Sequence, residues 1–79
     1  MENLTITTEI DARGSFCPGP LMELIRQVKM ARVGDVIAVL SSDEGSQKDI
    51  PAWIAKAQQQ FLGAEPVPGA MRFVCRKIK

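Results

Sequence analysis

Residues 36–41, "VIAVLS", form a short apolar run between Asp35 and a polar stretch. That is the pattern of a strand buried under a covering layer. Upstream, Leu21, Leu24, Ile25, Val28 and Ala31 recur at helical spacing, with Glu23, Arg26, Gln27 and Lys29 mostly on the other side. "VGD" at 33–35 stops this helix, with Gly34 as its C-terminal residue. Further back, Leu4, Ile6, Thr8 and Ile10 alternate with Thr5, Thr7 and Glu9, which reads as a first strand.

Downstream, "SSDEGSQ" at 41–47 is loop by composition. "DIPAWIAKAQQQFLG" at 49–63 predicts a second helix with Asp49 as N-cap and Pro51 in the first turn. Its stripe is Ile50, Trp53, Ile54, Ala57 and Phe61, and Gly63 ends it. "AEPV" at 64–67, a Pro-Gly turn at 68–69 and "AMRFVCRKI" at 70–78 then make a closing hairpin. The order is β-α-β-α-β-β, and the β-α-β unit makes its strands parallel neighbours through a right-handed crossover. The expected fold is α+β: a two-layer α/β sandwich with a four-stranded mixed sheet and both helices on one face. The other face, with Thr5, Thr7, Arg72, Val74 and Arg76, is expected to be solvated.

With 79 residues the chain is one domain, 1–79, with a thin stability margin. Its net charge of +1 does not suggest a polyanion binder, so no direct nucleic-acid binding is expected. No apolar stretch is long enough to span a bilayer, and "MENLTITTEI" lacks the apolar block of a signal peptide. A cytoplasmic monomer without membrane contact is the expectation. Two cysteines and no histidine make a poor structural zinc site and remove the usual general base, so no metal or cofactor is expected. A 17–75 disulfide is disfavoured in a reducing compartment.

Residues 14–20, "GSFCPGP", place Cys17 at the start of the first helix. A thiolate there feels the positive end of the helix dipole, which depresses its pKa. Pro18, at the first helical position, and Pro20 remove donors that have no intrahelical partner in the first turn. They make a rigid pedestal that aims the sulfur, while Gly14 permits the bend and Gly19 leaves a partner's backbone room to approach. Arg13 is the nearest cation in sequence and favours the anionic thiol. Cys75, alternating with Met71 and Phe73, reads as core.

"CPGPLMELI", with Asp11 and Gly14 before it and "GD" at 34–35 and "DIPAW" at 49–53 after it, resembles the TusA/SirA-like sulfur-carrier family. The resemblance covers essentially the whole chain and implies the two-layer sandwich reached above. It also implies sulfur relay, a sulfurtransferase-type carrier role. Cys17 takes sulfane sulfur from a donor protein (a desulfurase, a rhodanese or a similar relay protein), holds it as a persulfide or thiosulfonate, and passes it to an acceptor protein. Such relays serve tRNA thiolation, cofactor sulfuration or oxidative sulfur metabolism. The Asp-x-x-Gly element makes Asp11 a site-shaping residue beside Arg13, Gly14, Pro18, Gly19 and Pro20.

The chain departs from the commonest family pattern in three places. Arg26, Lys29 and Arg32 are spread through the second half of helix one, "SSDEG" stands where many relatives carry Asp-Pro, and a late Gly-His pair is replaced by "AQQQFLG". Arg26, Lys29 and Arg32 are candidates for partner docking, against the competing reading of a solvated helix face; Met22 and Met30 fit either the frame of a partner site or gap filling. Two other functions stay open on residues alone: a small thiol redox protein, and a regulatory or RNA-binding module.

Overall fold

The computed structural model describes residues 6–14 and 19–79, in the order β1 (Thr8–Asp11), α1 (Gly19–Met30), β2 (Val36–Ser41), α2 (Ser46–Lys56), β3 (Gln60–Val67) and β4 (Ala70–Arg76). The strands form one sheet in the order β1-β2-β4-β3. β1 lies parallel to β2, with Thr8 opposite Ile37 and Asp11 opposite Leu40. The β2–β4 and β4–β3 pairs are antiparallel. This is the mixed α+β sandwich that the chain order predicts.

β2 is interior and buried along its whole length, which accounts for the unbroken apolar run that defines it. Ile37, Val39, Phe73 and Cys75 point to the helix side, where Leu24 and Val28 of α1 and Ile50 and Ile54 of α2 cover them. Ile10, Leu21, Ala31, Trp53 and Met71 close the rim of this core. Burying a side chain such as Ile54 is worth roughly 1.5–3 kcal/mol, so these residues dominate the stability.

The second face is not simply solvated. Val36, Ala38 and Val74 are buried there beneath Ile6 and Leu62. Arg72 lies across the same face, with Nη1 2.7 Å from Glu65 and Nη2 3.3 Å from Glu9. Its head bridges Glu9 of β1 and Glu65 of β3.

Several boundaries differ from the sequence reading. Leu4 and Thr5 of the predicted first strand lie outside the described residues, and the observed strand runs Thr8–Asp11. α2 begins at Ser46, three residues before Asp49. Asp43 serves its entry: one carboxylate oxygen accepts from the Ser46 N–H at 3.2 Å and from the Ser46 hydroxyl at 3.4 Å. The first turn is tightened by i−3 bonds from Gln47 and Lys48, a common opening for an α-helix, and Pro51 falls inside the helix rather than in its first turn.

The far end of α2 is the larger correction. The helix stops at Lys56, and Gln58 takes a left-handed φ of 61° that turns the chain into β3. Phe61 therefore belongs to a strand, opposite Cys75, and Gly63 marks a bulge rather than a helix end. Helical spacing of Phe61 after Ala57 was misleading, because pairing with β4 outweighs local propensity in the polar "AQQQ" run. α1 likewise ends at Met30, and Gly34, with φ 99°, sits in the following turn. No helix among the described residues is long and apolar enough to cross a membrane.

Candidate functional site

The parallel pair β1–β2 sets the position of the site, because both strands deliver their C-terminal ends to the same edge of the sheet. Beyond β1, Ala12 N–H donates to the Leu40 carbonyl at 2.9 Å and extends the pairing by one step. The chain then bends through Arg13 and Gly14. Gly14 has φ 86°, and a Cβ placed on it would meet nothing within 4 Å. Its glycine is required by the backbone angle, not by lack of room.

Asp11 organises the bend. Its carboxylate accepts from the Arg13 backbone N–H at 3.2 Å, from Nε at 2.9 Å and from Nη2 at 2.9 Å. These side-chain and backbone hydrogen bonds from Arg13 hold the Asp11 carboxyl at a pKa of about 2. The fork-to-fork geometry makes the pair specific even though both partners are largely exposed. How Arg13 stands to Cys17 lies outside the described residues. The guanidinium is committed to Asp11, so the pair adds little net charge to the turn.

Gly14 N–H donates to Ser42 Oγ at 3.0 Å, tying the bend to the loop after β2. Cys17 and Pro18 fall in 15–18, outside the described residues. On the far side, Gly19 and Pro20 open α1. Pro20 is fully buried, so its ring fixes the helix start by packing as well as by its locked φ. The sequence reading gave Pro20 a stiffening role and missed its place in the core; an apolar ring one turn ahead of Leu24 was the available signal.

The docking candidates lie along α1 and just past it. Arg26 donates to Glu23 at 2.9 Å on the exposed surface, while Lys29 and Arg32 are exposed. Met22 and Met30 are 58% and 72% exposed, so this side of α1 offers apolar as well as basic groups. Arg32 also joins the turn after the helix, where its backbone N–H donates to the Asp35 carboxylate at 3.0 Å.

One residue with a structural role was not singled out from sequence. Lys77 Nζ donates to the Val28 carbonyl at 2.7 Å and the Ala31 carbonyl at 2.9 Å. Its backbone pairs with Gly34 and Asp35. The end of β4 thereby caps the C-terminus of α1, where a cation is favoured by the helix dipole. Cys75 is a free thiol, 1% exposed, and burial pushes its pKa up to about 11. A thiol in that setting is neutral packing material at neutral pH.

Comparison with known proteins bears on the site. The profile of the family described as "Sulfurtransferase TusA" matches residues 8–77. A protein of Archaeoglobus fulgidus, provisionally named a sulfur carrier protein, is 50% identical over 70 residues, covering 89% of this chain and 96% of that protein. The sulfur carrier protein TusA of Pseudomonas syringae pv. syringae is 31% identical over 77 residues, covering 98% of this chain and 92% of the other. Among solved structures, a SirA-like protein from Desulfitobacterium hafniense superposes with a TM-score of 0.78 at 20% identity, over 91% of this chain and 99% of that one. That last likeness is one of fold.

Proposed function

Because the chain belongs to the sulfurtransferase TusA family, we propose that it is a sulfur carrier whose cargo is held on Cys17. The observation that supports the proposal is the burial of Cys75, which leaves Cys17 as the cysteine for the cargo. Cys75 is sealed in the core. Cys17 stands in Cys-Pro-Gly-Pro, between the Asp11–Gly14 bend and the start of α1.

The exchange balances without an outside oxidant. The Cys17 thiolate attacks the outer sulfur of a donor persulfide, the donor S–S bond breaks, and the donor cysteine leaves as a thiolate. Cys17 then carries the sulfur as a persulfide. An acceptor thiolate attacks that outer sulfur in turn, and the Cys17 thiolate leaves. The attacking and leaving groups are both thiolates, so a helix N-terminus that favours an anionic sulfur serves both steps. A thiosulfonate cargo follows the same logic with a different group beyond the sulfur.

Donor and acceptor dock on the exposed side of α1, with Arg26, Lys29 and Arg32 meeting acidic groups and Met22 and Met30 supplying apolar contact. Pro18 and Pro20 hold the helix start, Gly19 leaves an approach path, and Asp11, Arg13 and Gly14 shape the bend. A disulfide-exchange role is disfavoured by Cys75, which is too buried to resolve a disulfide at Cys17.

Incubation with a persulfide donor tests the reading by intact mass. The chain gains one sulfur (roughly 32 Da, the sulfur analogue of the oxidations in), and reductant removes it. Cys17→Ser does not load, and Cys75→Ser loads like the parent. Loading of Cys17→Ser, or its loss in Cys75→Ser, overturns the assignment.

A further inference from the structure

We propose that the end of the fold where α1 stops and β4 finishes is a docking surface for a partner protein that presents carboxylates around an apolar centre. The inference goes beyond the carrier reading and does not depend on Cys17. It starts from Lys77, whose ammonium holds the Val28 and Ala31 carbonyls. The Gly34 N–H donates to the Lys77 carbonyl at 2.6 Å, and the Lys77 N–H donates to the Asp35 carbonyl at 2.9 Å. These bonds bring the last turn of α1, the turn after it and the end of β4 to one place.

Met30, Val33 and Ile78 each lie one residue from a bonded position in that network, beside Ala31, Gly34 and Lys77. All three are exposed, Val33 by 67% and Ile78 by 48%. Ile78 is also held in place, because its N–H donates to Gln59 Oε1 at 2.8 Å. Exposed apolar side chains scattered singly need no explanation, but these are gathered by one set of hydrogen bonds.

The charge at this end is one-sided. Within 28–36 and 76–78, the segments so joined, Lys29, Arg32, Arg76 and Lys77 stand against Asp35 alone. The Asp35 carboxylate accepts from the Arg32 backbone N–H, not from its guanidinium. Among the described residues, Arg13, Arg26 and Arg72 face carboxylates, and none of these four cations forms an ion pair. A chain of net charge +1 thus concentrates unneutralised positive charge at one end, which steers an acidic partner toward it.

An apolar centre among cations complements an acidic protein surface with an apolar centre of its own. Nucleic acid would use the cations, but Met30, Val33 and Ile78 offer no ring on which a base stacks. A bilayer is met by an amphipathic helix lying in its interface, whereas these side chains come from a helix end, a turn and a strand end.

The test is an amide-shift NMR titration of the whole chain with a synthetic acidic peptide, its leucines at helical spacing and glutamates between them. Shifts appear at Val33, Gly34, Lys77 and Ile78. They vanish when the peptide glutamates become glutamine, and at about 1 M salt, where the Debye length is about 3 Å. Val33→Ser with Ile78→Ser weakens binding by about 5- to 20-fold, and Lys29→Gln with Arg32→Gln by a similar factor. All four positions are exposed, so melting temperatures stay near the parent's. Lys48→Gln, which removes an exposed cation at the start of α2, leaves the affinity unchanged.

The proposal is overturned if the peptide leaves these amides unmoved, if the glutamine peptide binds as well, or if either double variant binds like the parent. Shifts confined to the exposed side of α1, without Ile78, overturn it in favour of the helix face. Tighter binding at the same amides by phosphatidylcholine–phosphatidylserine vesicles, or by an oligouridylate, assigns the surface to a membrane or an RNA instead. Sulfur loading is not read in any arm, so failure here leaves the carrier reading standing.

Discussion

Replacing Lys77 by Met isolates the cap on α1. Methionine keeps a long apolar stem and removes the ammonium that donates to the Val28 and Ala31 carbonyls. A hydrogen bond to a charged group is worth about 1.5–3 kcal/mol when desolvated, and a cation at a helix C-terminus about 0.3–1 kcal/mol at the surface. The Lys77 side chain is half-buried, and the released carbonyls regain water, so the net loss falls between these limits, at about 1–2 kcal/mol. A melting entropy of about 2.1 cal/mol/K per residue over 79 residues converts that to a fall of roughly 6–12 °C. Thermal and urea unfolding followed by circular dichroism measure it. Lys79→Met is the control: the Lys79 ammonium donates to the exposed Gln58, and its loss stays within about 0.5 kcal/mol. If Lys77→Met is no worse than Lys79→Met, the cap is a geometric coincidence and β4 does not hold the helix end. Loading at Cys17 is expected to survive, because the cap lies at the other end of α1.

The buried Cys75 thiol gives an alkaline signature. Its folded pKa is raised from 9.0 to about 11, so the unfolded chain loses this proton first as pH rises. Stability is therefore full below pH 9 and declines between pH 9 and 11, by roughly 2–3 kcal/mol at most. Urea melts at pH 8 and pH 10.5 show the decline in the parent and not in Cys75→Ala; an equal slope in both would refute the assignment. At the acid end, Asp11 titrates in the folded protein near pH 2, and Arg13→Gln returns it toward 3.8. The pair is intact above pH 3.8 and opens as pH falls through about 2, which carboxyl NMR follows directly; a parent midpoint near 4 would show that the fork does not persist in solution.

Sequence legibility follows from how locally each feature is determined. β2 and the buried stripes of both helices were readable because apolar periodicity reports burial directly. So was Cys75 as core, whereas the reading of Cys17 and Pro18 falls on residues outside those described. The end of α2 was not, because "AQQQFLG" fits a helix by itself, and only pairing with β4 makes it a strand. The Lys77 cap and the Ser42 bond join positions 46 to 49 and 28 residues apart, so no window of sequence contains them. Arg13 illustrates a third limit. Its charge was legible, but whether that charge faces a neighbouring carboxylate depends on the bend at Gly14.

The bulge between Phe61 and Gly63, and Pro66 further along β3, lie on an outer strand of the sheet. The other outer strand, β1, runs only four residues. A long, flat, fully donating margin invites another chain to add itself as a fifth strand. Here one margin is kinked and lacks a donor at a proline, and the other is too brief to template an addition. The consequence is colloidal: among the described residues, both margins disfavour growth of the sheet, which is not closed into a barrel. Encounters with other proteins are left to side chains, which release more readily than a shared ladder of backbone bonds.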